Sequence, residues 1–214
     1  FCADDAGEFT LLAKVAAGER EDRERVKGGY ATEVGFYSEL AEQLKIRVPA
    51  CAYAAISEDL TEFTLLLEDL APRRPGVQVN PISVELAKPA LMNLARLHAP
   101  LWNAPILKEK NYLMKLEGKD VAGFLKEMVK GATSGFCERY RENLSSAQRD
   151  TLISAAERID AWITYPNDHF SVVHGDYRLD NLMFGQEPDD VVALDWQTAS
   201  VGPAGRDTAY FMAT

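Results

Sequence analysis

His174-Gly175-Asp176-Tyr177-Arg178-Leu179-Asp180-Asn181 follows a short β-rich run at 170–173 and precedes two more, at 182–184 and 191–194. A Gly- and Pro-containing turn separates the last two, so they read as a hairpin. Asp195 ends the second hairpin strand, fourteen residues after Asn181. The order strand, loop, hairpin can carry three oxygen-bearing side chains, Asp176, Asn181 and Asp195, to one cleft.

Transfer of a phosphoryl group needs such a set. One carboxylate orients the attacking hydroxyl and takes its proton, while an amide oxygen and a second carboxylate hold magnesium against a triphosphate. Asp176 fits the first role, and Asn181 and Asp195 fit the other two. The alternative is a chance motif, which the spacing and the strand–loop–hairpin context disfavour.

Outward from this stretch, the first third reads as strands around one helix. Residues 9–16 are a short apolar run containing Lys14, and 18–29 are charged and Gly-containing, which predicts a solvated connection. Thr32 is the expected N-cap of a helix to about Lys45, with Val34, Tyr37, Ala41 and Leu44 on its apolar face. Residues 50–56 and 63–67 read as strands around the turn Ser57-Glu58-Asp59. Pro72, Pro75 and Gly76 then break the pattern. A helix capped by Ser83 runs to about His98, kinked or delayed by Pro89. Helical spacing recurs over 119–130, and Ser145-Ser146-Ala147-Gln148 predicts a capping box for a helix to about Ile163. Residues 202–207 read as a loop before a helix from Thr208. There is no internal repeat.

HGDYRLDN together with Leu194-Asp195-Trp196-Gln197 resembles the aminoglycoside phosphotransferase and ecdysteroid kinase-like group, within the protein-kinase-like fold. Ala13-Lys14-Val15, Glu33 with Phe36-Tyr37, Leu67-Glu68-Asp69-Leu70, the stretch from Leu94 to Ala99, and Gly202-Pro203 with Asp207 match in the same order. The resemblance implies an α+β, two-lobed protein-kinase-like fold. Its small β-rich N-lobe would be 1–67, its hinge 68–71 and its larger helical C-lobe 72–214. It implies that Lys14 contacts the α and β phosphates and that Glu33 ion-pairs with Lys14. The plain alternatives are a solvent-facing strand lysine and a first-turn helix acid. The backbone of Glu68, Asp69 and Leu70 would be the hinge that hydrogen-bonds adenine.

Arg178 lies two residues after Asp176, where many protein kinases carry a lysine. It either neutralises charge on the transferring phosphoryl group or pairs with Asp180. His174 reads as a structural residue bonded to the loop backbone, and His98 as a satisfied packing residue. Asp207 is either the group's buried acid that braces the loop or the N-cap of the last helix.

Asp207 lies only twelve residues after Asp195, which leaves no space for the long activation segment of a protein kinase. The acceptor is therefore expected to be a small-molecule alcohol, with ATP as donor and Mg2+ as cofactor. The competing readings are a nucleotide-binding pseudokinase or regulatory module without turnover, and a helical binding protein that is not a kinase.

Composition narrows the partners. The chain has 214 residues, 47% apolar and 26% charged, with 23 Lys and Arg against 33 Asp and Glu and a net charge of −10. Such acidity argues against nucleic acid and anionic membranes. No apolar run approaches the ~20 residues of a membrane span. Cys2, Cys51 and Cys137 are widely spaced, offer no zinc pattern and suit a reducing compartment, so a cytoplasmic location is expected. No G-x-G-x-x-G run precedes Lys14, and the chain is expected to be a piece that lacks its first strands. Oligomeric state is not legible.

Overall fold

The computed structural model describes residues 10–115, 118–164, 168–187 and 189–214. Cys2 and the Phe9 end of the first apolar run lie outside them. Contacts divide the chain into two units: one extends to Met114 and resumes with His169–Thr214, the other is Lys115–Asp168.

In the first unit, β1 (Leu11–Val15), β2 (Cys51–Ile56) and β3 (Phe63–Glu68) form an antiparallel sheet in the order β1-β3-β2. The central strand alternates, with Phe63, Leu65 and Leu67 buried, because successive side chains of a strand point to opposite faces. Lys14 lies opposite Leu65 on the edge strand β1.

The helix expected from Thr32 begins twelve residues earlier: α1 spans Arg20–Gly35. Its first turns lack apolar periodicity, which is why they read as a connection. Ion pairs secure them instead. Arg20 reaches Asp59 at 2.9 Å and Arg23 reaches Glu62 at 3.1 Å, both in or beside the β2–β3 turn, and Lys27 pairs with Glu24 at 2.8 Å. Thr32 is thus inside the helix, its hydroxyl 2.9 Å from Gly28 O and 2.7 Å from Tyr112 O. At Gly35 a Cβ would stand 2.5 Å from the Tyr112 ring, so only glycine permits this crossing. The helix then widens into a π turn over Phe36–Leu40, which buries Phe36, Tyr37 and Leu40.

Beyond the two-residue strand β4 (Arg74–Pro75), α2 spans Val84–His98 with Ser83 at its N-cap. Pro89 does not delay its start. Ala90, Leu94 and Leu97 form its buried stripe. The two-residue β5 (Met114–Lys115) follows.

The second unit is helical: α3 (Lys119–Arg139), α4 (Ser146–Glu157) and α5 (Ile159–Ile163). Ser145 and Gln148 form the expected capping box. α3 runs a further nine residues past Lys130, and the helix from Ser146 is interrupted at Arg158.

Back in the first unit, β6 (Ser171–Val173) pairs antiparallel with β9 (Ser200–Gly202). The hairpin β7 (Leu182–Phe184) and β8 (Val191–Ala193) pairs Leu182 with Ala193. α6 spans Gly205–Ala213, so most of the expected 202–207 loop is strand end and first helical turn. Two glycines and a proline hid both elements. The core of this unit gathers Phe36, Leu65, Leu94, Leu97, Tyr177 and Trp196, among others. No helix among the described residues is long and apolar enough to cross a membrane.

Candidate active site

All the site residues expected from sequence fall in the first unit, and most come together in two clusters. β1 carries Lys14, α1 carries Glu33, and Asp195 stands just after β8. Lys14 Nζ lies 2.7 Å from Glu33 Oε2 and 3.0 Å from Asp195 Oδ1. Glu33 is buried, and its carboxylate also faces the Trp196 N–H at 3.4 Å and Gln197 Nε2 at 3.3 Å. A carboxylate in that setting is tolerable only because donors surround it. The solvent-facing reading of Lys14 and the first-turn reading of Glu33 do not describe these positions. Asp195 has left-handed backbone angles, φ 63° and ψ 76°, which turn its side chain out of the hairpin's strand pattern. Phe36 stacks on Trp196 behind this cluster, with centroids 3.7 Å apart and planes 5° apart.

The second cluster surrounds Asp176. Asn181 Nδ2 donates to both the carbonyl and Oδ2 of Asp176, each at 2.8 Å. Arg178 Nε donates to the same Oδ2 at 3.2 Å, and its Nη1 reaches Asp180 at 3.3 Å, so Arg178 contacts both acids. The charge of Asp176, foremost, holds Arg178 above its ordinary range.

His174 ties the loop to the hairpin. Its Nδ1 accepts the Asp176 N–H at 3.3 Å, so a neutral ring donates from Nε2 to Leu194 O at 2.8 Å. Full burial lowers its pKa, against the charges of Asp207, Asp176 and Asp195, which favours that neutral form. Asn181 O accepts the Leu194 N–H at 2.9 Å, a second tie between loop and hairpin. Gly175 has φ +83°, and a Cβ there would meet Thr198 O at 2.6 Å, so the turn into Asp176 requires glycine.

Asp207 is inside the first turn of α6 rather than at its N-cap, which is Ala204. Its Oδ2 accepts the His174 N–H at 2.7 Å and faces His98 Nε2 at 3.0 Å, while Oδ1 accepts the Gly175 N–H at 2.9 Å. His98 is thus satisfied, as expected, but by a carboxylate.

The hinge residues make local contacts. The Glu68 carboxylate takes both Arg47 bonds, at 2.7 and 2.8 Å, and the Ala50 N–H. Asp69 accepts from Thr10 Oγ1 at 2.7 Å and from the Ala71 N–H. Leu70 is buried and its carbonyl accepts the Arg73 N–H.

Among the described residues, no group of three or more His, Cys, Asp and Glu side chains is arranged to hold a metal. The donor set Asn181 and Asp195 is one amide and one carboxylate. Hard oxygens of that kind suit Mg2+, which keeps several waters and substrate phosphate oxygens. Asn181 commits its amide nitrogen to Asp176, which turns its oxygen away from that carboxylate, and the Asp195 side chain is 45% exposed. The residues fit the ion.

Sequence reasoning missed Tyr210, whose hydroxyl donates to Asp176 Oδ1 at 2.9 Å. The signal was its place three residues after Asp207, one turn along the same helix face. It also missed Thr198, which donates to His174 O at 2.8 Å.

Among known proteins, 68 residues are 38% identical to part of acyl-CoA dehydrogenase family member 10 of Mus musculus, covering 30% of this chain and 6% of that protein. A 91-residue stretch is 31% identical to acyl-CoA dehydrogenase family member 11 of Homo sapiens, covering 38% of this chain and 11% of that protein. A macrolide 2′-phosphotransferase type I is similar in structure, with TM-score 0.50, 17% identity, and 96% of this chain and 70% of that one covered. The GDP complex of a mutant aminoglycoside 2′-phosphotransferase-IIIa gives TM-score 0.52, 18% identity and coverage of 86% and 60%. Such likenesses show the fold, the α+β protein-kinase-like phosphotransferase fold. Residues 3–214 match the model of the ecdysteroid kinase-like family, and the chain belongs to that family.

Proposed function

We propose that this protein is an ATP-dependent O-phosphotransferase that moves the γ-phosphate to the hydroxyl of a small-molecule alcohol. The observation that carries the reading is the pair of clusters just described: a cation tied to a buried acid and to Asp195, and a loop carboxylate held by Asn181 and Arg178. The lobes would be 1–67 and 72–214, joined by the hinge 68–71, whose main chain reads adenine. Lys14, held by Glu33, binds the α and β phosphates. Asn181 and Asp195 hold Mg2+, which neutralises phosphate charge when bound. Asp176 orients the acceptor hydroxyl and takes its proton as that oxygen forms the new bond to the γ-phosphorus. The bond from that phosphorus to the bridging oxygen breaks, and ADP leaves with the electron pair. Arg178 offsets charge on the moving group.

The structural neighbours named for macrolide and aminoglycoside phosphotransfer support a small-molecule acceptor. The odd, widely spaced cysteines support a reducing, cytoplasmic setting.

A screen of γ-phosphate transfer over alcohol libraries, with calorimetry of Mg-ATP binding, tests the reading in the full-length protein. The expected result is magnesium-dependent nucleotide binding and transfer to at least one alcohol. Binding without transfer or hydrolysis would identify a nucleotide-binding module instead. No binding at all would overturn both.

A further inference from the structure

We propose that Gln78, just past the hinge, is a positioning residue for Asn181 and Asp176, because it caps the turn that aims one at the other. This rests on the phosphotransferase reading, in which Asn181 holds magnesium and Asp176 takes the acceptor's proton. Leu179–Asn181 is a single 3₁₀ turn with Arg178 at its N-cap. The first N–H groups of such a turn have no partner within it and are ordinarily met by the side chain at the N-cap. Arginine has no acceptor, and Arg178 makes no cap bond. Gln78 supplies the missing oxygen from 101 residues earlier in the chain: its Oε1 accepts the Leu179 N–H at 2.8 Å.

The contact is reciprocal. Asp180 Oδ1 accepts the Gln78 N–H at 2.9 Å, while Asp180 Oδ2 faces Arg178 Nη1 at 3.3 Å. Two bonds in opposite directions fix the turn against Gln78 in rotation as well as in distance. Asn181, at the end of that turn, donates to the carbonyl and Oδ2 of Asp176, each at 2.8 Å. A turn free to rotate would lose both bonds.

The neighbours of Gln78 hold it in place. Arg73 Nε bonds both oxygens of Asp190, at 2.9 and 3.0 Å. Arg74 and Pro75 pair with Phe184 and Met183 of the hairpin, and the Gly76 N–H donates to Leu182 O at 3.0 Å. At Gly76 a Cβ would stand 2.7 Å from Leu179 O, so the chain passes this close to the turn only as glycine. One stretch of chain therefore reaches from the hinge to the turn that ends in Asn181.

Gln78→Met keeps the length of the side chain and removes its oxygen, whereas Gln78→Glu keeps an acceptor for the Leu179 N–H. Two measurements on the full-length protein test the proposal. Without metal or nucleotide, NMR follows exchange of the Leu179 amide hydrogen and the side-chain amide signal of Asn181. In Gln78→Met exchange should accelerate by roughly tenfold, the worth of one lost hydrogen bond, and the Asn181 signal should move. Gln78→Glu should leave both near wild type. Unchanged exchange or an unmoved Asn181 signal in Gln78→Met overturns the proposal. Should that variant not fold, Gly76→Ala displaces the same turn through its backbone and carries the same expectation for Asn181.

With Mg-ATP and an alcohol found by the screen, Gln78→Met should lower kcat by roughly tenfold and raise the magnesium concentration for half-maximal turnover. The KM for ATP at saturating magnesium should stay within about twofold. Gln78→Glu should restore most of kcat. A side chain that only stabilised the fold would shift the melting temperature without that split, so unchanged kcat, or equal loss in the two variants, overturns the positioning role. A moved Asn181 signal together with no ATP turnover in wild type supports the capped turn and overturns the phosphotransferase reading instead.

Discussion

Asp207 and Asp195 are carboxylates of the same unit, on either side of the 174–181 loop and hairpin in function, yet their surroundings differ sharply. Asp207 has a side chain 1% exposed and accepts two backbone N–H groups while facing His98. Asp195 is 45% exposed and pairs with Lys14, which it shares with Glu33. The first acid spends its lone pairs on the protein and fixes the loop. The second keeps capacity for a ligand. Burial with full pairing gives rigidity, and partial exposure gives available charge.

The largest expected effects lie on the open side. Asp195→Ala should lose both magnesium-dependent ATP binding and turnover. Asp176→Asn should keep Mg-ATP binding while turnover falls by roughly 10² to 10⁴, the range of a positioned general base. Calorimetry and a transfer assay on both variants separate the roles. Equal loss of binding in the two would show that the assignments are wrong. Neither change should shift the melting temperature as much as the next one does.

On the closed side, Asp207→Ala leaves two loop N–H groups and His98 without their acceptor. Unfolding should become easier by roughly 2–6 kcal/mol, since each of the two buried N–H donors left unpaired costs about 1–3 kcal/mol. That is a large part of a domain's usual stability of about 5–15 kcal/mol. Urea melts measure it. A loss below about 1 kcal/mol, the worth of one ordinary hydrogen bond, would erase the contrast between the two acids.

Lys14 stands between the two types, because it serves the open cluster yet neutralises buried Glu33. Lys14→Met alone should cost stability by about 1–3 kcal/mol through the unpaired carboxylate. Adding Glu33→Gln should recover most of that and none of the turnover. Recovery of turnover in the double variant would show that the lysine has no part in phosphate binding.

The smallest effect concerns His174. Its folded pKa is depressed, so the unfolded chain binds a proton that the folded one resists. Stability should therefore decline as pH falls below 6.5, the ordinary imidazole value, with a slope of at most about 1.4 kcal/mol per pH unit. His174→Gln should flatten that limb in melts between about pH 7 and 5. An unchanged slope would mean that His174 is not kept neutral by its burial.

Much of this was readable beforehand, wherever one residue type at one spacing had one physical use. The strand at 63–67, the capping box at Ser145, the hairpin around 182–193 and the spacing of Asp176, Asn181 and Asp195 are local signals, carried by turn chemistry or motif, whereas Lys14 and Glu33 were reached only through the family resemblance. The charged start of α1 was not readable, because its helicity depends on Asp59 and Glu62, which pair with Arg20 and Arg23 from almost forty residues away. Nor was the choice between brace and cap at Asp207, which only the approach of His98 and the His174–Gly175 backbone decides. Tyr210 was legible only as a position one turn past Asp207, and that its hydroxyl reaches Asp176 depends on where α6 sets it. The sequence by itself determined which chemical groups the chain brings and in what order. The tertiary structure decided which of those groups face one another, because a carboxylate's role depends on how many donors reach it and how much water remains.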